Sequence, residues 1–180
     1  ATHVLNASAR QVLGPHVWQA GAEKTPKRSR LDITHFRALT AEEEKKVEFL
    51  ANKVIMQNRP VHVTIMDRDQ AEKKYGFRLY QGGEVPGNKI RVIEIQGFDV
   101  EACGGTHCSS TGEIGLTKIV STERIQDGVV RLNFLAGEPA IAYMQELDEA
   151  VRSISALTGS SLDTVVKTVE KTLEEKREQN

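Results

Sequence analysis

The stretch Cys103-Gly104-Gly105-Thr106-His107 restricts the fold and the function of this sequence more than any other. Its two glycines let the backbone fold closely around a site. Hydrophobic patterns on both sides predict strands, at 90–95 before it and at 114–120 and 129–134 after it. The stretch is therefore predicted to be a loop between strands.

Outward from this loop, the same kind of pattern predicts an α+β fold. Further strands are expected at 16–22, 28–36 and 61–65, with loops at 23–27 and 81–87. Helices are expected at 3–14, after the Thr40 and Glu43 capping pattern as far as 58, from Asp67 to 74, at 139–157 and from 161 onward. We expect a two-layer domain over 1–137, with a mixed β-sheet and helices on one face. A helical C-terminal extension over 138–180 should follow it.

Composition narrows the class of protein without deciding its function. The chain has 180 residues, 39% of them hydrophobic, and 24 Lys and Arg against 25 Asp and Glu. Residues 1–137 carry 19 basic and 16 acidic side chains, and residues 138–180 carry 5 and 9. No apolar run approaches the roughly 18 residues of a membrane span, no signal-peptide pattern is visible, and two cysteines cannot form a disulfide framework. These features predict a soluble cytoplasmic protein with no membrane partner.

The spacing of Cys103 and His107 is suited to a metal site. A thiolate and an imidazole four residues apart can lie on one side of a tight loop, and sulfur with nitrogen favours zinc over magnesium or calcium. The pair alone is a weak signal, since a buried structural thiol beside an unrelated histidine is the more common arrangement.

A zinc site needs at least three protein ligands, so the other candidates matter. They are His3, His16, His35, His62 and Cys108. His62 lies between valines and His35 in a strand pattern, where hydrogen-bonded histidines are more common. His16 follows a helix end, and Cys108 would point away from its neighbour in an extended segment. His3 lies at the start of the first predicted helix.

Five stretches, in this order and at this spacing, resemble the editing domain of alanyl-tRNA synthetase, most closely the archaeal type. The resemblance runs from residue 1 to about 137, and free-standing AlaX deacylases and the editing domain of threonyl-tRNA synthetase share the same core. The stretches are Thr2-His3-Val4-Leu5-Asn6-Ala7, Val17-Trp18-Gln19-Ala20-Gly21-Ala22, Leu31-Asp32-Ile33-Thr34-His35-Phe36, Ala102-Cys103-Gly104-Gly105-Thr106-His107 and Thr111-Gly112-Glu113-Ile114-Gly115.

The resemblance implies one Zn²⁺ per chain, held by His3, Cys103 and His107. The family uses an HxxxH helix and a CxxxH segment, and its first histidine would fall four positions before His3, ahead of Ala1. We therefore expect a fragment whose fourth family ligand is absent and whose zinc occupancy is open. Cys103 fits a ligand better than a nucleophile, because no histidine is left free to act as its base.

The implied activity is hydrolysis of the ester that joins serine or glycine to the tRNA for alanine. A binding pocket rejects such close neighbours of alanine only about 10–200-fold, so a second, hydrolytic sieve is needed. Zinc with an open position either lowers the pKa of bound water towards about 7 or orients the substrate, and the sequence does not choose between the two.

Two catalytic residues and two basic patches follow from the same resemblance. Gln19 matches a polar residue of the amino-acid pocket, and the alternative is a solvent-facing strand residue. Thr106 lies beside the metal and could contact the ester carbonyl or the terminal adenosine. The acceptor-stem phosphates are expected at Lys24, Lys27, Arg28 and Arg30, and at a second patch around Arg78, Lys89 and Arg91, although both sets could be ordinary solvated faces.

The helical segment 138–180 resembles the linker towards the C-terminal oligomerisation domain of the synthetase. Its implied partners are the rest of an ATP-dependent ligase and a second copy of the chain. Two alternatives remain: a free-standing AlaX-type deacylase, and a non-catalytic tRNA-binding or oligomerising module with an incomplete metal site.

Overall fold

A computed structural model describes residues 1–25, 28–81, 83 and 85–178, which form two compact units, Ala1–Ala140 and Ile141–Asn180. The helices of the first unit are α1 (Thr2–Leu13), α2 (Ala41–Met56) and α3 (Arg68–Tyr75). Its strands are β1 (Gln19–Lys24), β2 (Ser29–Thr34), β3 (Val61–Asp67), β4 (Lys89–Ile95), β5 (Asp99–Ala102), β6 (Thr117–Gln126) and β7 (Val129–Ala136). Short 3-10 turns lie at Phe77–Leu79 and Thr111–Ile114. The domains predicted at 1–137 and 138–180 stay a prediction.

The strands form two sheets, with the orders β1-β2-β7-β6 and β3-β4-β5. The α+β class is confirmed, whereas the expectation of one mixed sheet is wrong: the paired strands of the described residues are all antiparallel. A parallel pair needs a crossover of about a dozen residues or more. Here β6 and β7 are joined by a tight turn at Gly128, whose positive φ of 72° suits a hairpin.

Three further differences concern short segments. The strand β5 was not predicted, because the alternation of polar and apolar residues from Asp99 to Ala102 is only four residues long and too short to indicate a strand by itself. Glu23 and Lys24 belong to β1 rather than to a loop, and the rest of that predicted loop includes Pro26 and Lys27, which lie outside the described residues. The strand expected from 114 begins at Thr117.

The main core lies between one face of the four-stranded sheet and the helices α1 and α2. Leu5 of α1, Val47 of α2, and Leu31 and Phe134 of the sheet are at most 1% exposed and belong to one cluster. Burying side chains of this size stabilises a fold by roughly 1.5–3 kcal/mol each. This packing fixes α1, which carries His3.

A smaller cluster attaches α3 and the turn at Phe77–Leu79 to the second sheet. It contains Ala71, Leu79, Ile90, Val92 and Ala102, while the β4 residue Ile95 belongs to the main core. Strand β4 is therefore buried on both faces, and the strand beside it, β5, leads directly into the loop that carries Cys103.

The second unit contains α4, which begins at Glu138 in the first unit and ends at Thr158, and α5 (Val165–Glu178). The predicted break is confirmed: Gly159 has a φ of 63°, and Ser155 Oγ donates to Ser160 O. Among the described residues, no helix has the length and apolar composition needed to span a membrane.

The predicted cap of α2 is confirmed. Thr40 Oγ1 accepts from the Glu43 N–H at 3.2 Å, and the Thr40 N–H donates to Glu43 Oε2 at 2.9 Å. Arg37 donates to both Glu43 oxygens at 2.7 Å. These hydrogen bonds, that from Arg37 first, lower the pKa of Glu43 from 4.5 to about 2.

We predict that Glu43→Gln destabilises the fold in a pH-dependent way. A lowered folded-state pKa contributes stability that is fully present above about pH 4.5 and is lost as the pH falls towards 2. The loss at pH 7 should be on the order of 1 kcal/mol, the size of a helix cap or a good surface ion pair. Urea unfolding of both proteins between pH 7 and pH 3 measures it, and a difference that does not shrink below pH 4.5 would contradict this.

Candidate metal centre

Three side chains that are distant in sequence meet where α1 faces the loop after β5. The ligand atoms of His3, Cys103 and His107 all lie within 4.8 Å of one another. His3 Nε2 and His107 Nε2 are 3.0 Å apart. The three residues form a group able to hold one metal ion, and they are the three that the sequence predicts as ligands.

The hydrogen-bonded backbone holds the loop in this place. The Cys103 N–H donates to Arg91 O at 3.0 Å, which extends the pairing of β4 and β5 by one residue. Arg91 Nη1 donates to Cys103 O at 2.8 Å and to Gly105 O at 2.7 Å, and it lies 3.3 Å from His107 Nδ1. Arg91, expected in a basic RNA patch, is thus used to hold the loop.

Glu101 is a functional residue that the sequence analysis missed. Its carboxylate is 1% exposed and accepts the Nδ1 proton of His3 at Oε2 and a proton from Asn6 Nδ2 at Oε1, the latter at 2.9 Å. Carboxylates that accept the second N–H of a metal-bound histidine fix its tautomer and orientation. The sequence feature that could have revealed Glu101 is its position two residues before Cys103, because alternate residues of a strand point to the same face.

The charges of the centre suit a cation. Burial lowers the pKa of His3, but hydrogen bonds to Cys103 and Glu101 and their negative charges outweigh it and raise the pKa to about 9. The hydrogen bond with His3 lowers the pKa of the Cys103 thiol. Burial, with the charges of His3 and Arg91, lowers the pKa of His107 to about 4. At neutral pH His107 is ready to bind a metal, whereas His3 must first release a proton.

A cavity of about 440 Å³ opens beside the three ligands. Its walls include Thr106, predicted as catalytic, and Lys24, predicted to bind tRNA. Gln19, the other predicted catalytic residue, is not among the described residues that line it. The Gln19 N–H donates instead to Gln81 Oε1 at 3.1 Å.

The other predicted tRNA-binding residues lie outside this cavity or outside the described part of the chain. Arg28 Nη2 donates to Asn133 Oδ1 at 3.1 Å, and Arg30 pairs with Glu23 and Asp32. Arg78 is exposed and borders a second cleft, of about 570 Å³. Lys27 is not among the described residues. The structure thus places Lys24 on the wall of the cavity beside the metal centre, and the role of the arginines stays a prediction.

Part of the first unit matches a known protein family. Residues 90–133 match the family described as "Threonyl and Alanyl tRNA synthetase second additional domain". The match covers β4, β5, the ligands Cys103 and His107, and most of the last hairpin.

The chain is also similar over nearly its whole length to curated alanine–tRNA ligases. It is 51% identical over 179 residues to the enzyme of Methanopyrus kandleri and 53% identical over 179 residues to that of Archaeoglobus fulgidus. It is 52% identical over 181 residues to that of Pyrobaculum aerophilum. These alignments cover 98–99% of the chain but only 20% of each relative, so the chain spans about a fifth of their length.

We predict that Glu101→Gln weakens metal binding about 10–100-fold, the usual cost of removing a carboxylate behind a ligating histidine. The neutral amide accepts the His3 proton less strongly and can present an N–H to it instead. Zinc competition with a chromophoric chelator measures the affinity. Glu94→Gln, on the neighbouring strand β4 and outside the ligand group, is the matched control. Equal affinities for Glu101→Gln and the unchanged chain would contradict this assignment.

Proposed function

We propose that this chain is the editing domain of an alanine–tRNA ligase and hydrolyses the ester of serine or glycine wrongly joined to the tRNA for alanine. The observation that carries the proposal is the group of His3, Cys103 and His107 on the wall of a cavity. The match of residues 90–133 to the synthetase domain family and the similarity to alanine–tRNA ligases support it.

The donor set fits zinc. One thiolate and two imidazoles are typical zinc ligands, and at Zn–N bonds of about 2.0–2.1 Å two nitrogens of one tetrahedral ion lie roughly 3.3 Å apart. The 3.0 Å between the Nε2 atoms of His3 and His107 is close to this value. His3, Cys103 and His107 would hold the ion from three sides, with donors of the kind that zinc sites use. When bound, zinc would supply a Lewis acid for a water molecule or for the substrate.

The remaining work is positioning, because an aminoacyl ester is already activated. A cavity of about 440 Å³ is within the range of small-molecule sites and could receive an aminoacylated ribose. The Thr106 hydroxyl is proposed to donate to the ester carbonyl or the terminal ribose. Gln19 is proposed to contact the serine hydroxyl or the attacking water, which requires its side chain to reach the substrate from β1. Water adds to the ester carbonyl carbon, and the bond from this carbon to the ribose oxygen breaks. The ribose oxygen takes a proton that comes from the water and leaves as the free hydroxyl of the tRNA 3′ end, and the amino acid is released with a free carboxylate.

RNA would approach past Lys24, an exposed ammonium group at the wall of the cavity. Phosphates of the acceptor end would meet this side chain, and Arg28, which directly precedes β2, is proposed as a further contact. The second unit is proposed to join the domain to the rest of the ligase and to a second copy. Five apolar residues at helical spacing on α4, each 41–48% exposed, support that role: Ile141, Met144, Leu147, Val151 and Ile154.

We predict that Cys103→Ala abolishes editing. Loss of the thiolate ligand should lower the rate of hydrolysis of seryl-tRNA(Ala) by at least about 100-fold, while alanyl-tRNA(Ala) stays a poor substrate for both proteins. Release of labelled serine from charged tRNA measures the rate. Cys108→Ala is the matched control, since its sulfur lies outside the ligand group, and it should retain zinc.

If the unchanged chain binds tRNA and zinc but hydrolyses neither ester, the deacylase proposal is wrong and a non-catalytic tRNA-binding module remains. If Cys103→Ala hydrolyses seryl-tRNA(Ala) at the unchanged rate, the metal centre is not the site of the reaction.

We predict that Lys24→Ala weakens binding of tRNA(Ala) and lowers the slope of log affinity against log salt by about 1, as expected for one lost phosphate contact. Fluorescence anisotropy with labelled acceptor-stem RNA at several salt concentrations measures both quantities. Lys167→Ala, an exposed lysine of α5, is the control. An unchanged slope in Lys24→Ala would remove this residue from the RNA-binding surface.

A further inference from the structure

Gln81 occupies a buried position where three parts of the first unit meet. It is 9% exposed, and its Oε1 accepts from Asn6 Nδ2 of α1 and from the backbone N–H of Gln19 in β1, both at 3.1 Å. Its Nε2 donates to Arg78 O at 3.1 Å. Because donors face the oxygen and an acceptor faces the nitrogen, only one orientation of this amide satisfies all three contacts.

Asn6 receives its orientation from two neighbours. It is fully buried, and Nδ2 donates to Gln81 Oε1 and to Glu101 Oε1, the latter at 2.9 Å. Within the described part of the chain, Asn6 Oδ1 has no hydrogen-bond partner. If the Asn6 amide were flipped, Oδ1 would face the acceptor oxygens of Gln81 and Glu101 and both hydrogen bonds would be lost. The two hydrogen bonds of Nδ2 therefore determine the observed orientation.

Glu101 connects the oriented Asn6 side chain to the metal centre. With Oε1 held by Asn6, the carboxylate presents Oε2 to the Nδ1 proton of His3. The Nδ1 proton is thereby placed on the Glu101 side, and the Nε2 atom faces Cys103 and His107. In these contacts Asn6 and His3 are the donors, and the side-chain oxygens of Gln81 and Glu101 are the acceptors.

We propose that Gln81 is a positioning residue of the metal centre, which orients His3 through Asn6 and Glu101 and holds β1 through the Gln19 backbone. The proposal rests on the metal centre of the proposed function. The Oε1 atom of Gln81 accepts from the Gln19 backbone and from Asn6, and Asn6 continues the connection to His3 through Glu101. Gln81 is 75 residues from Asn6 and 62 from Gln19, so no local sequence pattern reveals it.

Gln81→Met tests the proposal, because methionine has a similar length and cannot accept the two hydrogen bonds. We expect zinc affinity, measured by chelator competition, to fall about 10-fold or more. The absorption of the Co²⁺ form, which reports ligand geometry, should change as well. Gln96→Met, at an exposed position, is the matched control and should bind as the unchanged chain does.

The decisive comparison is a double-mutant cycle with Asn6→Leu. If Gln81 acts through Asn6, Gln81→Met lowers metal affinity in the unchanged background but has less than about a twofold further effect beside Asn6→Leu. A merely structural role would give the same fold-loss in both backgrounds and would overturn the proposal. Thermal unfolding of each variant shows whether it is folded.

If the chain binds zinc too weakly for its affinity to be measured, the proposal can be tested without metal. In the ¹⁵N NMR spectrum of the metal-free chain, the Nδ1 proton of His3 should be protected from exchange and lose this protection in Gln81→Met. Protection that survives Gln81→Met overturns the proposal. If the unchanged chain hydrolyses no seryl-tRNA(Ala) while Gln81→Met still loses metal affinity and His3 protection, the proposed function fails and the positioning role stands.

Discussion

The ion pair between His3 and Glu101 is the interaction on which the centre depends. It joins α1 to β5 in the interior, where a carboxylate without partners would cost several kcal/mol. Glu101 is compensated by His3, by Asn6 and by Arg10, whose Nη2 lies 3.8 Å away and donates to Asp99 at 2.8 Å. Because removing one partner would leave a buried charge, these contacts stabilise the observed packing of α1 against β5.

The same pair prepares the centre for a metal ion. A carboxylate behind His3 and a thiolate in front of it hold a proton on this histidine, which raises its pKa, while burial and nearby cations keep His107 neutral. A divalent cation that replaces the proton would be stabilised by the same negative charges of Cys103 and Glu101. Metal binding is therefore linked to proton release, and its affinity rises with pH through the range where His3 titrates.

The core supplies the rigidity that this arrangement requires. The helix α1 packs against α2 and β2 with fully buried aliphatic side chains, and β4 is covered on both faces. The loop after β5 has little regular structure, yet Arg91 ties two of its carbonyl groups to β4. A flexible glycine-rich segment is thus placed by its neighbours, which lets it carry two ligands beside an open cavity.

The sequence by itself determined most helices and strands, the α+β class and the trio His3, Cys103 and His107. Capping at Thr40, the strand patterns and the CxxxH spacing are local, so nearby residues reveal them, whereas His3 was assigned as a ligand through the resemblance to the synthetase editing domain. Tertiary structure alone decided the two antiparallel sheets, the short strand β5, and the roles of Glu101, Gln81 and Arg91. Their partners lie far along the chain, 98 residues for His3 and Glu101, and a hydrogen bond over such a separation exists only after the core has brought its two ends together.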